Sequence, residues 1–162
     1  RPSRPRMLKV SAALLLFRRL AAGPEVMLVQ MGGPFWARKD LGARTIPKGV
    51  VEPGEELLAA AQREFHEETG FQPAGMPFPL GYIKQAGGKV VHAWALEGDF
   101  DCRTLTSSTF KVESPKGSGQ FQEYPEVDRA EWFDFAEASR RMIAAQVPLL
   151  AVLAAAPPRN RS

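Results

Sequence analysis

The sequence predicts one α/β domain, of the α+β class, because two strand-like runs precede an amphipathic helix. Residues 9–18 and 25–31 are rich in Val, Leu and other apolar side chains and are separated by a Gly-Pro turn, which is typical of two adjacent strands. Residues 55–69 repeat apolar side chains at helical spacing. The helix is therefore expected to pack its apolar stripe on a sheet built from the strands.

The helix at 55–69 has recognisable ends. The segment Val51-Glu52-Pro53-Gly54 has the composition of a turn, so the helix is expected to begin directly after it. Glu55 and Glu56 then fall in the first turn, where the helix dipole favours anions. Gly70 supplies the left-handed residue that ends a helix.

Further strands and helices are predicted downstream. They are a hairpin of residues 80–85 and 89–97, a strand at 130–133, a helix from its cap Asp134 to about Ala145, and a helical piece at 149–155. Residues 99–120 show no clear period and predict a long loop that is functional or mobile. His92 is expected to pack within the hairpin and His66 to be solvated, so neither is assigned to catalysis.

Length and composition indicate a single globular unit. We assign residues 9–155 to one domain, and the arginine-containing ends, 1–8 and 156–162, to flexible tails. Lys and Arg exceed Asp and Glu by 21 to 18, and this modest surplus suits a small polyanion better than a stable nucleic-acid partner. The oligomeric state is left open.

The single cysteine and the short apolar runs bear on the compartment. Cys102 has no second cysteine to pair with, which excludes a disulfide within the chain and fits the reducing cytoplasm. The apolar runs are too short to span a bilayer, so no membrane association is expected.

Three carboxylates on the predicted helix, Glu64, Glu67 and Glu68, are its most informative feature. They stand at i, i+3 and i+4 and therefore project from one helix face, where like charges repel. A divalent cation relieves that repulsion, and oxygen ligands without Cys or His favour Mg²⁺ or Mn²⁺. The alternative is an ordinary solvated, charged helix face.

The complete pattern around these acids extends from Gly49 to Phe71. Its fixed positions are listed in order as Gly49, Glu55, Arg63-Glu64, an apolar Phe65, Glu67-Glu68, Gly70 and an apolar Phe71. This pattern resembles the Nudix box at every defining position. The resemblance implies an α/β/α sandwich around a central mixed sheet, and hydrolysis of nucleoside diphosphates linked to another group.

The resemblance also implies roles for the residues of the box. The Mg²⁺ ligands would be the carboxylates of Glu64, Glu67 and Glu68 and the backbone carbonyl at Gly49, next to Lys48. Glu55 and Arg63 resemble the ion pair that braces the catalytic loop against the helix. Water activated by the metal would attack phosphorus, and Glu64 or an acid outside the box would accept its proton.

Acids before the last predicted strand are candidates for that additional role. Relatives often use an acid outside the box as a metal ligand or as the base. In the segment QEYPEVD, Glu126 matches this position best, as a catalytic acid, and Glu123 second, as a metal ligand. The alternative is a solvated acidic turn.

Residues upstream of the box are candidates for substrate binding. Lys48 adjoins the phosphate site, where its ammonium would neutralise a polyphosphate. Trp36 follows Phe35 in a loop, where the aromatic pair could stack on a base or pack under the loop. Arg44 stands where many relatives have an aromatic residue, so it is expected to affect the preference for the base.

The segment IPKGVVEPGE resembles diadenosine tetraphosphate hydrolases and related nucleoside triphosphate pyrophosphohydrolases. The expected function is Mg²⁺-dependent hydrolysis of a phosphoanhydride bond in a dinucleoside polyphosphate or nucleoside triphosphate. One alternative is an RNA 5′-end pyrophosphohydrolase. Another is a non-catalytic nucleotide-binding module, although the intact acidic set argues against it.

Overall fold

A mixed sheet of six strands forms the centre of residues 9–156, the part of the chain that the computed structural model describes. Its strands are β1 (Val10–Leu20), β2 (Gly23–Met31), β3 (Lys48–Val50), β4 (Phe78–Gln85), β5 (Lys89–Glu97) and β8 (Val127–Asp134). Two further strands, β6 (Thr109–Glu113) and β7 (Phe121–Pro125), form a separate hairpin. The helices are α1 (Leu57–Thr69), α2 (Phe135–Arg141) and α3 (Pro148–Ala155).

Strand β1 makes the sheet mixed. The order is β4-β5-β1-β2-β8, with β3 paired to β1 outside this path. Strand β1 runs parallel to β5 and antiparallel to β2 and β3. The predicted central mixed sheet, including the link between the 9–18 and 89–97 runs, is confirmed.

Alternate residues of β1 point to two different cores. Leu15 and Phe17 belong to the core beneath α2 and α3. Leu14 and Leu16 belong to the core beneath α1. Because successive side chains of a strand face opposite sides, this continuous apolar run requires a cover on both faces. The helices provide it, and the predicted sandwich is confirmed.

Helix α1 begins two residues later than the prediction of Glu55. Glu56 has an extended backbone and serves as the N-cap without a side-chain hydrogen bond, and the first turn contains no acid. The Glu55 carboxylate instead accepts hydrogen bonds from Arg63 and from the Glu52 backbone N–H. The predicted stop is correct, since Gly70 has a left-handed φ of 77°.

The predicted loop at 99–120 is partly wrong, because it contains strand β6, which pairs with β7. Most side chains of this hairpin are exposed or half-buried, so they lack the apolar alternation by which a buried strand is recognised. Residues 102–104 form a 3₁₀ turn within the same segment.

The C-terminal helices differ from their prediction at two boundaries, the end of α2 and the start of α3. Asp134 caps α2 as expected, accepting a hydrogen bond from the Glu137 N–H at 2.7 Å, but the helix ends at Arg141. Pro148 begins α3, where a missing N–H costs nothing. Among the described residues, no helix has both the length and the apolar character needed to cross a membrane. The predicted tails lie outside these residues, apart from Ala156.

Candidate metal-binding and catalytic site

Glu68 is the most deeply buried acid of α1. Its side chain is 2% exposed, and neither carboxyl oxygen has a hydrogen-bond partner within residues 9–156. Burial raises its pKa to about 9, with a further contribution from Glu64 that the charge of Lys48 and the nearby Lys48 backbone N–H partly offset. A buried carboxyl without partners must hold a proton or meet a cation.

Lys48 reaches this acid through the pairing of β3 with β1. Its backbone lies opposite Ala13, which places the start of the Nudix-like turn against the central strand. The Lys48 side chain is half-buried, and burial lowers its pKa, whereas Glu68 and Glu64 act in the opposite direction. The ammonium therefore lies within electrostatic range of two of the three α1 carboxylates that were predicted as metal ligands.

Arg63 connects the turn before α1 with the acids on it. Its Nε and Nη2 donate to the two oxygens of Glu55 at 2.7 and 3.0 Å. Its Nη1 donates to Glu64 at 3.0 Å and approaches Glu67 at 3.3 Å. This guanidinium lowers the pKa of Glu55 to about 2. The Glu55–Arg63 pair is therefore present in the predicted bracing position.

Gly49 allows the turn to approach Glu64 closely. A Cβ built on Gly49 would lie 2.0 Å from the Glu64 Cδ and 2.2 Å from both carboxyl oxygens. Burial raises the Glu64 pKa, Arg63 opposes the shift, and Glu67 and Glu126 add to it. A side chain at this position would therefore displace the Glu64 carboxylate, although the Gly49 backbone is not left-handed.

The two acids outside the box differ in their relation to α1. Glu126 is half-buried, and its charge raises the pKa of both Glu64 and Glu68, which places it within range of the cluster. Glu123 lies on the exposed hairpin and accepts a hydrogen bond from Thr109 Oγ1. The arrangement therefore favours Glu126 over Glu123 as the additional acid.

A segment that the sequence did not single out, residues 106–108, holds Glu126 in this position. The Ser108 N–H donates to the Glu67 carbonyl at 2.9 Å, and the Glu126 N–H donates to the Ser108 carbonyl at 2.8 Å. Ser107 Oγ accepts from the Val127 N–H at 2.9 Å. In the sequence, the only indication that this segment has a role was the unusual length of the predicted loop at 99–120.

The predicted substrate-binding residues have different environments. Arg44 is 1% exposed and forms an ion pair with Glu131 at 2.8 Å, so contact with a substrate would require its guanidinium to leave the interior. Trp36 is half-buried and packs edge-to-face on Phe35 with ring centroids 5.0 Å apart. Lys39 Nζ lies 3.9 Å from the Phe35 ring centroid, a contact that the sequence reading missed.

Within residues 9–156, no three acidic, histidine or cysteine side chains converge on one point as a preassembled metal site. Glu64 and Glu67 instead both form ion pairs with Arg63, at 3.0 and 3.3 Å. The partnerless oxygens of Glu68 and the oxygen-only donor set nevertheless fit a hard divalent cation. The predicted ligands Gly49, Glu64, Glu67, Glu68 and Glu123 stay a prediction.

Because Glu55 and Arg63 form an ion pair, we expect the activity losses from replacing them to be non-additive. Replacing Arg63 with Met, or Glu55 with Gln, should each reduce kcat, because either change releases the turn from α1. The double variant should lose less than the product of the two single losses, since the second change removes a partner already lost. Steady-state kinetics on the four proteins provides the measurement. Strictly multiplicative losses would contradict a functional contact between the two side chains.

Because the Glu68 carboxyl is buried and its pKa is raised, we expect the stability of the metal-free protein to depend on pH. Between the ordinary carboxyl pKa of 4.5 and its folded pKa of about 9, the folded state binds a proton that the unfolded state lacks. Stability should therefore fall as pH rises through this window. The expected Tm decrease is several degrees, at about 2–4 °C per kcal/mol for a chain of this length. The control is Glu68→Gln, which should remove most of the slope; an unchanged slope would contradict the burial argument.

An α/β/α sandwich with a glutamate-rich helix, entered by a tight glycine turn, defines the structural class. The NUDIX domain model matches residues 7–153, and the chain belongs to the Nudix family. One known relative also matches part of the chain in sequence. The RNA pyrophosphohydrolase of Erythrobacter litoralis is 44% identical over 50 residues, a match that covers 27% of this chain and 30% of that protein.

Solved structures support the fold. A binary complex of the Caenorhabditis elegans Ap4A hydrolase matches with a TM-score of 0.64 at 24% identity, over 90% of this chain and 96% of the other. The NUDIX domain of Shewanella oneidensis NrtR, complexed with ADP ribose, matches with a TM-score of 0.63 at 17% identity, over 94% and 92%. At these identities the likeness shows a shared fold.

Proposed function

We propose that this chain hydrolyses a phosphoanhydride bond in a nucleoside polyphosphate and requires a divalent cation. The observation that carries the proposal is the buried, partnerless carboxyl of Glu68 beside Glu64 and Lys48. Such an arrangement is costly in the absence of a ligand and is well suited to a cation that also contacts phosphate oxygens. Membership of the Nudix family supports it.

The residues proposed to hold Mg²⁺ or Mn²⁺ are Glu64, Glu67, Glu68 and the Gly49 carbonyl. When bound, a divalent cation neutralises charge on phosphate oxygens and makes water easier to deprotonate. Glu64 and Glu67 both form ion pairs with Arg63 in the structure, so a cation at this site would compete with Arg63 for these two carboxylates.

The chain's own side chains contribute positioning and proton transfer. The Lys48 ammonium would neutralise negative charge on the polyphosphate, and the Glu55–Arg63 pair would keep the turn fixed against α1. Glu126 or Glu64 would accept the proton of the attacking water. The water oxygen then bonds to phosphorus as the anhydride P–O bond breaks, and the leaving group departs as a phosphate.

The proposed substrate is a dinucleoside polyphosphate or a nucleoside triphosphate. Lys48 next to the acids suits a chain of several phosphates, and the similar C. elegans protein is named an Ap4A hydrolase. The RNA 5′ end is a second candidate, because the curated relative is named an RNA pyrophosphohydrolase. A steep loss of turnover with salt would favour RNA, whereas a shallow one would favour the small molecule.

The Lys48→Ala variant tests this choice of substrate. Its kcat/KM should fall by about tenfold or more for diadenosine tetraphosphate and ATP, and less for ADP-ribose, because an added phosphate has lost its cation. Lys116→Ala, at an exposed lysine of the β6–β7 turn, provides the matched control. An equal loss on all three compounds would contradict the substrate branch while leaving the hydrolase proposal in place.

A further inference from the structure

A buried glutamine, Gln30, follows the apolar residues 26–29 of strand β2. It is only 3% exposed, so solvent cannot satisfy its side-chain amide. The amide nitrogen donates to the carbonyls of Trp36 and Lys39 at 3.1 and 3.3 Å. The amide oxygen accepts from Arg129 Nε at 2.6 Å. Because an unsatisfied amide is costly in the interior, these three contacts explain how a polar side chain is accommodated at this position.

The Gln30 amide anchors the turn formed by residues 33–39. Within residues 9–156, its two donated hydrogen bonds are the ones that join this turn to the rest of the chain. The other hydrogen bonds of the turn are internal, from the Trp36 N–H to the Gly33 carbonyl and from the Lys39 N–H to the Trp36 carbonyl. Removal of the amide would therefore leave the turn free to open locally.

The turn begins next to the carboxylate cluster. The Gly32 N–H donates to the Glu126 carbonyl at 2.9 Å. The charge of Glu126 raises the pKa of Glu64 and Glu68, so Glu126 lies within electrostatic range of both acids. Consecutive Cα atoms are about 3.8 Å apart, which places the Cα of Phe35 at most about 11 Å from that of Gly32. The turn is therefore adjacent to the proposed site of hydrolysis.

An aromatic ring and a cation lie on the outside of the turn. Phe35 is 67% exposed, and the Lys39 ammonium lies 3.9 Å from its ring centroid. Lys39 forms no salt bridge within residues 9–156, since the neighbouring Asp40 pairs with two arginines. An exposed ring can stack on a base, and an ammonium without a carboxylate partner can contact a phosphate. Both groups depend on the turn for their position.

We infer that Gln30 is a positioning residue, which holds the 33–39 turn so that Phe35 and Lys39 contact the nucleotide. The inference rests on the proposed function and deepens it, because it assigns the nucleotide two further contacts and a residue that orders them. Phe35 faces the base and Lys39 a phosphate, whereas Trp36 packs edge-to-face on Phe35. A preordered turn loses less conformational entropy on binding, so Gln30 contributes to affinity rather than to the chemical step.

The test is the affinity of Gln30→Met for a methylene-bridged ATP analogue, measured by calorimetric titration with Mg²⁺. Methionine is similar in length but cannot donate to the two carbonyls. The Kd of the analogue should rise by about tenfold, the scale of one or two lost hydrogen bonds. The KM for ATP should rise similarly, while kcat changes by less than about threefold.

Trp132→Phe is the matched control. Its indole Nε1–H donates to the Phe100 carbonyl at 3.0 Å, so this substitution also removes a hydrogen bond from a side chain of the sheet to a loop. The control should lose Tm to a similar extent as Gln30→Met. Its affinity for the analogue should stay unchanged, because residues 33–39 keep their anchor.

A double-mutant cycle separates positioning from a general loss of stability. Phe35→Ala and Lys39→Ala should each raise the Kd of the analogue by about fivefold or more, through loss of stacking or of a charged contact. When both alanines are present, Gln30→Met should have no further effect on Kd, because it acts only through these two side chains. Its effect on Tm should persist.

Four results would overturn the inference. They are no nucleotide binding by the unmodified protein, unchanged Kd and KM in Gln30→Met, a Gln30→Met loss that persists in the double alanine variant, and an equal loss of affinity in Trp132→Phe. Turnover of ATP by the unmodified protein tests the hydrolase proposal separately. Binding without turnover would contradict hydrolysis alone, whereas turnover with normal affinity in Gln30→Met would contradict this inference alone.

Discussion

Glu68→Gln should reduce kcat by about 10³-fold or more, a loss of roughly 4 kcal/mol of transition-state stabilisation. The amide keeps the size of the carboxyl but cannot provide a negative ligand for a divalent cation. Glu67→Gln should also lose several powers of ten, and excess chelator should abolish turnover of the unmodified protein. Steady-state kinetics with Mg²⁺ on diadenosine tetraphosphate provides the measurement.

The matched control for this experiment is Glu56→Gln. Glu56 is an exposed acid at the N-cap of the same helix, and it makes no side-chain capping hydrogen bond. Its replacement should leave kcat nearly unchanged. Glu68→Gln should fold at least as stably as the unmodified metal-free protein, because the amide resembles the protonated carboxyl that burial favours. Near-normal activity of Glu68→Gln, or substantial turnover in excess chelator, would contradict the site assignment.

Gly49→Ala should reduce kcat by about 10²-fold, comparable to the effect of moving a catalytic group by 1 Å. Its Cβ would lie 2.0 Å from the Glu64 Cδ, and Arg63 holds that carboxylate at 3.0 Å, so one of the contacts must change. The backbone at Gly49 is not left-handed, which means that alanine itself is tolerated there. Stability should therefore change much less than activity.

Gly98→Ala is the control for this substitution. Its added Cβ would approach only Leu16 Cδ1, at 3.2 Å, in the core away from Glu64. Activity should be retained in this variant, and thermal melts should show similar small losses in both. Equal kcat values for Gly49→Ala and the unmodified protein would indicate that the position of Glu64 does not matter for turnover.

The central sheet and α1 could be predicted because the strands face two cores and α1 packs its apolar residues on one of them. Strand β1 is apolar at consecutive positions, and the stop of α1 at Gly70 rests on local backbone chemistry. The Glu55–Arg63 pair could also be predicted, because the resemblance to the Nudix box implied it, and the structure pairs the two side chains. Local pattern and motif were sufficient for these features.

Other features depend on contacts between distant parts of the chain, which no local pattern reports. The start of α1 shifted because Arg63, eight residues away, holds Glu55 outside the helix. The proximity of Glu126 to the acids depends on hydrogen bonds through Ser108 to the Glu67 carbonyl. The burial of Arg44 depends on Glu131 of β8. In each case the partner could be identified only in three dimensions.

The measurement that tests the central claim most directly is hydrolysis of diadenosine tetraphosphate in ¹⁸O-labelled water with Mg²⁺. The account predicts turnover with one ¹⁸O atom in a phosphate group of a product, loss of turnover in Glu68→Gln, and retention in Glu56→Gln. Tight nucleotide binding without any labelled product would contradict it and would instead indicate a nucleotide-binding module. Labelled product formed equally well by Glu68→Gln would contradict the placement of the site on α1.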